Sequence, residues 1–345
     1  MNRTSGALLR DKAGNPTDQV SSESATFPVG SMKLSEEAQR ILACPICKGP
    51  LYIETDQLGC KAADCRATFP ILDGIPILIN EKNSVFSIAD FQRHGPTTFA
   101  PRSKLKEFLG RIMPTVHDNS KTKQNFAKFA SLLPREKARI LVVGGGILGQ
   151  GLDTLFALSQ IEFVETDVSF GPRTALICDG HDLAFADCSF DAAIIQATLE
   201  HVLDPYRCVD ELHRVLKPDG VIYAETPFMQ QVHMGRYDFT RFTHLGHRHL
   251  FRKFSETESG SVAGPGIVLH WSIRYLLLSF VKSKAAVSFV QGLTRLTLFW
   301  LKYLDNLVLN RPGAMDGGSC FYFLGRKSDT VLSDRELIGL YKGVL

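Results

Sequence analysis

The chain of 345 residues is 44% hydrophobic and 22% charged, a composition that supplies a sizeable core and excludes both a wholly disordered chain and a disulfide-stapled miniprotein. Its 39 Lys and Arg against 36 Asp and Glu leave a net charge of +3, so no global field dictates nucleic acid or an anionic surface as the partner. No uncharged apolar run reaches the roughly 18 residues of a spanning helix, and residues 1–29 lack the apolar stretch of a secretory leader; the expectation is a cytoplasmic protein without a transmembrane segment.

Residues 1–35 are rich in Ser, Thr, Gly and Asn without periodicity and read as a disordered tail. Residues 36–80 carry Cys44, Cys47, Cys60 and Cys65 in the pattern C-x2-C-x12-C-x4-C. The Cys-Pro-Ile-Cys knuckle aims two thiolates at one tetrahedral ion, and short β-rich runs alternate with Gly, Pro and Asp, so a zinc ribbon holding a structural Zn2+ is predicted. Two disulfides or four free thiols are the alternative, and the disulfides are disfavoured where no secretory leader is expected. Cys178, Cys188, Cys208 and Cys320 sit among apolar neighbours and read as core residues. Through Cys-Pro-x-Cys and the closing Phe-Pro-Ile-Leu-Asp-Gly-Ile-Pro-Ile-Leu, residues 42–80 resemble the small zinc-ribbon proteins that activate tRNA and protein methyltransferases.

Residues 81–135 read as a connector with helical stretches, and a larger domain is expected over residues 136–328. It begins RILVVGGGILGQG, a buried strand running into a glycine cluster and then an apolar-periodic stretch, which is a βα unit with a nucleotide-binding turn. Gly144, Gly146 and Gly149 satisfy G-x-G-x-x-G and Asp167 ends the next strand; alone, these admit NAD as readily as another nucleotide. The text that follows, with LAFADCSFD, LEHV and RVLKPDG in order, resembles class I S-adenosylmethionine-dependent methyltransferases over residues 138–254, with a last strand near 320–325. That resemblance implies an α/β, doubly wound, seven-stranded Rossmann-like sheet and S-adenosylmethionine as cofactor. It places Gly144, Gly145 and Gly146 under the methionine end, with Gly149 a further cofactor-binding residue, and Asp167 on both ribose hydroxyls. Asp179, Gly180 and His181 fall at the adenine, with Gln196 and Ala197 lining the site. Two positions depart from the family: Val142 stands where relatives carry an acid and Ala184 where they carry Pro. Asp191 reads as structural, and Asp204-Pro205 as a helix start.

Residues 226–251 are dense in polar and aromatic groups, and ligands of open α/β sheets bind beyond the carboxyl ends of the strands. His233, Tyr237, Asp238, Arg241 and His244 are therefore the candidate catalytic residues, with His201 a further candidate that serves equally well to hold its turn. The string Tyr-Asp-Phe-x-Arg-Phe-Thr, with its flanking Pro-Phe, His and Leu-Phe, resembles methyltransferases of glycan and natural-product pathways, which implies a hydroxyl on a small-molecule or glycan-type acceptor. His233 or His244 is then the expected base. The irregular spacing of His233, His244, His247 and His249 argues against a second metal, and His247 and His249 are expected to face solvent. Residues 267–310 form an apolar helical insertion, expected to part near Gly292, whose readings are a lid or homodimer surface and, more sharply, a peripheral membrane contact or an apolar-acceptor site. Residues 329–345 read as a tail. Two other functions compete: an RNA methyltransferase using residues 102–106 and 121–128 as phosphate contacts, disfavoured by the near-zero charge, and a scaffold that has lost transfer.

Overall fold

The computed structural model describes residues 32–93, 113–116 and 120–344; most of the predicted tail and residues 94–112 and 117–119 of the connector, among them residues 102–106, lie outside them. Residues 32–35 are packed rather than tail-like, with Met32 and Leu34 buried and the Ser35 hydroxyl capping the helix Glu36–Gln39. Four strands follow as an antiparallel meander: β1 (Leu51–Ile53), β2 (Gln57–Cys60), β3 (Thr68–Leu72) and β4 (Ile75–Leu78).

The larger domain supplies β5 (Ala138–Val143), β6 (Ile161–Asp167), β7 (Leu176–Cys178), β8 (Phe190–Gln196), β9 (Leu216–Pro227), β10 (Phe254–Ala263) and β11 (Cys320–Lys327). These seven lie in the order β7-β6-β5-β8-β9-β11-β10, parallel except for β11, which runs against both of its neighbours. The doubly wound sheet is thus the predicted one. Its central strands are apolar almost throughout because helices cover both faces: five of the six residues of β5, Ala138 and Ile140 to Val143, are buried.

The ribbon does not stand apart. All four residues of β4 are buried, and the strand adds to the sheet edge in parallel with β7, pairing Ile77 with Ile177 and Leu78 with Cys178. Leu42, Leu58 and Phe69 then join Phe185 and Phe190 in one core. A module of this size buries too little surface alone, and the shared core supplies the remainder.

On one face α1 (Ser120–Leu132) packs Phe126 and Phe129 against Tyr223 of β9. The short α2 (Asp153–Phe156) follows the glycine turn, and α3 (Pro205–Val215) starts as predicted, with the Asp204 carboxylate accepting the Arg207 N–H at 3.1 Å. Asp191 is structural, accepting from Arg139 N–H and Lys217.

Two local expectations are corrected. In α4 (His244–Leu250), His247 is buried against Phe251 rather than solvent-facing, and Arg248 beside it is buried too, its charge met by Glu256 and by the carbonyls of Phe251 and Phe254. The insertion forms α5 (Pro265–Leu278), α6 (Lys284–Leu298) and α7 (Lys302–Val308), and its break falls at residues 279–283, where Ser283 caps α6; Gly292 lies inside α6, facing open space. Asp305 of α7 accepts the N–H groups of Gly264, Gly266 and Ile267, so one buried carboxylate ties α7 to the start of α5. The expected C-terminal tail also packs back: Tyr341 and Lys342 reach Asp316 and Glu256.

Candidate active site

The turn after β5 is built for close approach. Gly144 has φ +75°, and a Cβ there would meet Thr198 Oγ1 at 2.2 Å; a Cβ at Gly149 would meet Gln196 Oε1 at the same distance. Gly145 N–H donates to Thr166 O and Gly146 N–H to Asp167 Oδ2, both at 2.9 Å, so Asp167 at the tip of β6 fastens the turn. Beyond the carboxyl ends of β5 to β9 lies a cavity of about 870 Å³. Gly144, Gly149, Asp167, Asp179, Gly180, His181, Gln196 and Ala197 all line it, while Gly145 and Gly146 form the back of the turn.

Burial pushes the Asp167 carboxyl up to about 6, against the N–H bonds from Gly146, Ser169 and Val168. At Asp179 burial acts the same way, but bonds from His181 and Ser84 outweigh it and hold the carboxyl below the usual range. His181 donates from Nδ1 to Asp179 at 2.6 Å and accepts Asp204 N–H at Nε2, which fixes its tautomer. Gln196 donates to Gln150 O and to Glu225, whose buried carboxyl is pushed up by desolvation against bonds from Tyr223, Gln196 and Thr122. Gln196 Oε1 is buried with no hydrogen-bond partner among the described residues.

On the acceptor side, His201 follows β8 and its Nδ1 donates to Tyr237 O at 2.8 Å. His233 Nδ1 lies 3.1 Å from Gln231 O, and the ring lies 5.0 Å from that of His201. Both histidines and Tyr237 line the cavity. Asp238 and Arg241 do not; they form a two-pronged ion pair in which Asp238 also accepts His233 N–H at 2.8 Å and Arg241 donates to Gln230 O, so together they clamp the loop that carries His233. Burial works against the Asp238 charge, but the Arg241 guanidinium keeps its carboxyl below the usual range. His244 lies outside the cavity lining: it is buried against Phe321, bonds Ser259 at 2.9 Å, and burial lowers it to about 4.

The structure adds residues that sequence reasoning did not single out. Asn83, Ser84 and Phe86 of the connector reach the cavity or its wall, Phe86 stacking on Tyr237, and Trp271 and Tyr275 enter from α5. Nothing local marks these; only the fold brings them to the site. Glu200 and Glu225 carried a signal, since each is an acid at the end of an apolar strand or its following turn. The basic stretch 121–128 is largely neutralised, as Lys121 and Lys128 both reach Glu258.

Two family models match the chain: a methyltransferase domain over residues 153–224 and a Trm112p-like protein over residues 40–74. A UPF0434 protein of Methylobacillus flagellatus is 43% identical over 42 residues, covering 12% of this chain and 70% of that protein. A demethylmenaquinone methyltransferase of Clavibacter sepedonicus is 39% identical over 77 residues, or 22% of this chain and 26% of that one. Among solved structures, the complex between the Haloferax volcanii Trm112 methyltransferase activator and a putative methyltransferase aligns with 66% of this chain and 100% of that chain at 19% identity and TM-score 0.36.

Proposed function

Because the chain belongs to the UPF0434 family through its N-terminal module and carries a methyltransferase domain behind it, we propose that it transfers a methyl group from S-adenosylmethionine to a hydroxyl of a small-molecule or glycan-type acceptor. The observation that carries this reading is that one cavity holds the glycine turn and Asp167 at one side and the His201–His233 pair at the other.

The residues present fit the cofactor. The Asp167 carboxylate accepts two ribose hydroxyls well, and Asp179 with Gly180 and His181 meets the adenine. The buried, unpartnered Gln196 Oε1 and the Glu225 carboxylate beside it offer acceptors to an ammonium group, which answers the acid missing at Val142. When bound, the cofactor supplies an electrophilic methyl on a sulfonium. The chain's own work is to align the acceptor oxygen with that methyl and to remove the hydroxyl proton. With Nδ1–H directed to the Gln231 carbonyl, His233 offers its Nε2 lone pair for that proton, and His201 stacks edge-on beside it. Asp238 and Arg241 act as positioning residues for His233. Calorimetry tests the reading: S-adenosylmethionine and S-adenosylhomocysteine are expected to bind the zinc-replete chain and NAD is not. Binding of NAD alone would reverse it.

We also propose that the helical insertion seats the protein on an anionic membrane surface. Phe280, Phe289, Leu307 and Leu276 are 78%, 68%, 71% and 60% exposed, large apolar side chains left in solvent by the same insertion whose Trp271 and Tyr275 line the cavity. Residues 265–312 carry Arg274, Lys282, Lys284, Arg295 and Arg311 besides the buried Lys302, against one acid, the buried Asp305. No helix among the described residues is long and apolar enough to cross a membrane, so the contact is interfacial. Co-sedimentation with vesicles rich in phosphatidylglycerol is expected, weakening with salt and dropping by about tenfold or more in the double variant Phe280→Glu, Phe289→Glu with cofactor binding intact. A wild-type chain that stays in the supernatant, or a dimer that buries this face, sinks the membrane contact.

A further inference from the structure

Glu200, His201 and His233 meet in the acceptor half of the cavity, close enough for one ion to touch all three. His201 Nε2 lies 3.4 Å and His233 Nε2 3.6 Å from Glu200 Oε1, and the ligand atoms of the three residues all fall within 4.8 Å of one another. The Glu200 side chain is 1% exposed, held where the turn after β8 begins, and its backbone carbonyl accepts Phe239 N–H at 2.8 Å, which draws the His233 loop against it.

The tautomers matter most. His201 donates from Nδ1 to Tyr237 O and His233 lies with Nδ1 toward Gln231 O and, at 3.3 Å, toward Asp238 Oδ2. Arg241 Nη2 also lies 3.4 Å from His233 Nδ1, a longer approach than that of the carbonyl. With Nδ1 as the donor in each ring, both Nε2 atoms present lone pairs to a carboxylate oxygen. An ion placed where the three side chains meet would take both ring nitrogens and a carboxylate oxygen as ligands. Histidine metal ligands characteristically donate the other ring N–H to a carbonyl or carboxylate, as both rings do here. Bonds of about 2.0–2.2 Å to a tetrahedral Zn2+ set ligand atoms roughly 3.3–3.6 Å apart, which matches the two separations to Glu200 Oε1.

From this geometry we infer that Glu200, His201 and His233 form a second divalent-metal site, of the zinc class, whose open coordination position takes the oxygen of the methyl acceptor. Two histidines and one carboxylate leave a position free, and all three residues line the cavity, so that position is reached from the space the acceptor occupies. The role toward the acceptor rests on the methyl-transfer reading above; the metal site itself rests on the three side chains. With the ion in place the two rings serve as ligands rather than bases. A hydroxyl bound to the ion becomes more acidic and releases its proton to water in the cavity, and its oxygen lone pair forms the new O–C bond as the C–S electron pair returns to sulfur.

The test is metal stoichiometry on the full chain. After saturation with Zn2+ and dialysis against metal-free buffer, the wild type is expected to retain about two equivalents, and the double variant His201→Gln, His233→Gln about one, held by the ribbon. Titration with Co2+ separates the sites, since only the thiolate site gives intense sulfur-to-metal charge-transfer bands. Cofactor calorimetry on the same samples reports whether the variant is folded. A wild type that binds S-adenosylmethionine but retains about one equivalent overturns the second site and leaves the transfer reading standing; two equivalents in both proteins overturns the assignment to these residues; a protein that binds metal but no cofactor sinks the transfer reading instead.

Discussion

Asp167→Ala is expected to weaken S-adenosylmethionine binding by roughly a hundredfold or more while leaving the protein folded. Two hydrogen bonds from ribose hydroxyls to a carboxylate contribute about 1.5–3 kcal/mol each, and losing both exceeds the 1.4 kcal/mol that corresponds to one factor of ten several times over. The variant also releases Gly146 N–H, which loosens the glycine turn. Asp167→Asn keeps an acceptor for that N–H but not the charge, and falls between. The pH dependence follows from the same burial. The folded carboxyl titrates at about 6, above its unfolded value, so the ionised form that binds the diol dominates above about pH 6 and is lost below it. Affinity is expected to be level above about pH 7 and to fall by up to tenfold per unit below about 6, whereas the alanine variant shows no such slope. Stability moves the other way: a raised carboxyl binds its proton more tightly in the folded state, so its penalty is felt above about pH 6 and relieved as pH falls. Calorimetry across this range checks both; a level wild-type profile would remove the carboxylate from the cofactor site.

The central strands, the glycine turn and the cysteine knuckle were legible because each is written locally: an apolar run for β5, Gly144 where φ is positive, four cysteines at ligand spacing. What escaped was set by contacts far along the chain. β10 reads FSETESGSVA, polar enough to pass for a loop, and becomes a strand by pairing with β11 more than fifty residues later. The text around His247 and Arg248 looked solvent-facing because charge was read without its partner; Glu256 and two carbonyls bury it. His244 carried the same donor chemistry as His233, and only the packing of α4 against Phe321 separates them. Glu200 was read as part of a string that marks a resemblance, and its meeting with two histidines depends on a loop more than thirty residues away.

Removing zinc is expected to damage the cofactor site as well as the ribbon. Cys44 Sγ lies 3.7 Å from Cys65 Sγ and Cys47 Sγ 3.4 Å from Cys60 Sγ, near the roughly 3.7 Å edge of a tetrahedron with Zn–S bonds of about 2.3 Å. Burial pushes the Cys44 thiol up to about 12, so a thiolate there depends on the bound cation. Structural zinc contributes about 10–16 kcal/mol in isolated finger peptides, as much as the stability of a typical domain. The ribbon cannot melt alone, because β4 is an edge partner of β7 and the chain just beyond it holds the cavity wall proposed to meet the adenine: Asn80 and Asn83 donate to Asp182, and Ser84 to Asp179. Chelation, or Cys44→Ser, is therefore expected to lower the melting temperature by roughly 10 °C or more and to weaken S-adenosylmethionine binding by about tenfold or more, with readdition of zinc restoring both in the wild type. Asp167→Ala weakens binding without that fall in melting temperature, so thermal denaturation and calorimetry on the two variants separate a lost ligand contact from a lost supporting strand. A zinc-free chain that melts and binds like the wild type would mean that β7 and Asp179 hold their positions without the ribbon edge.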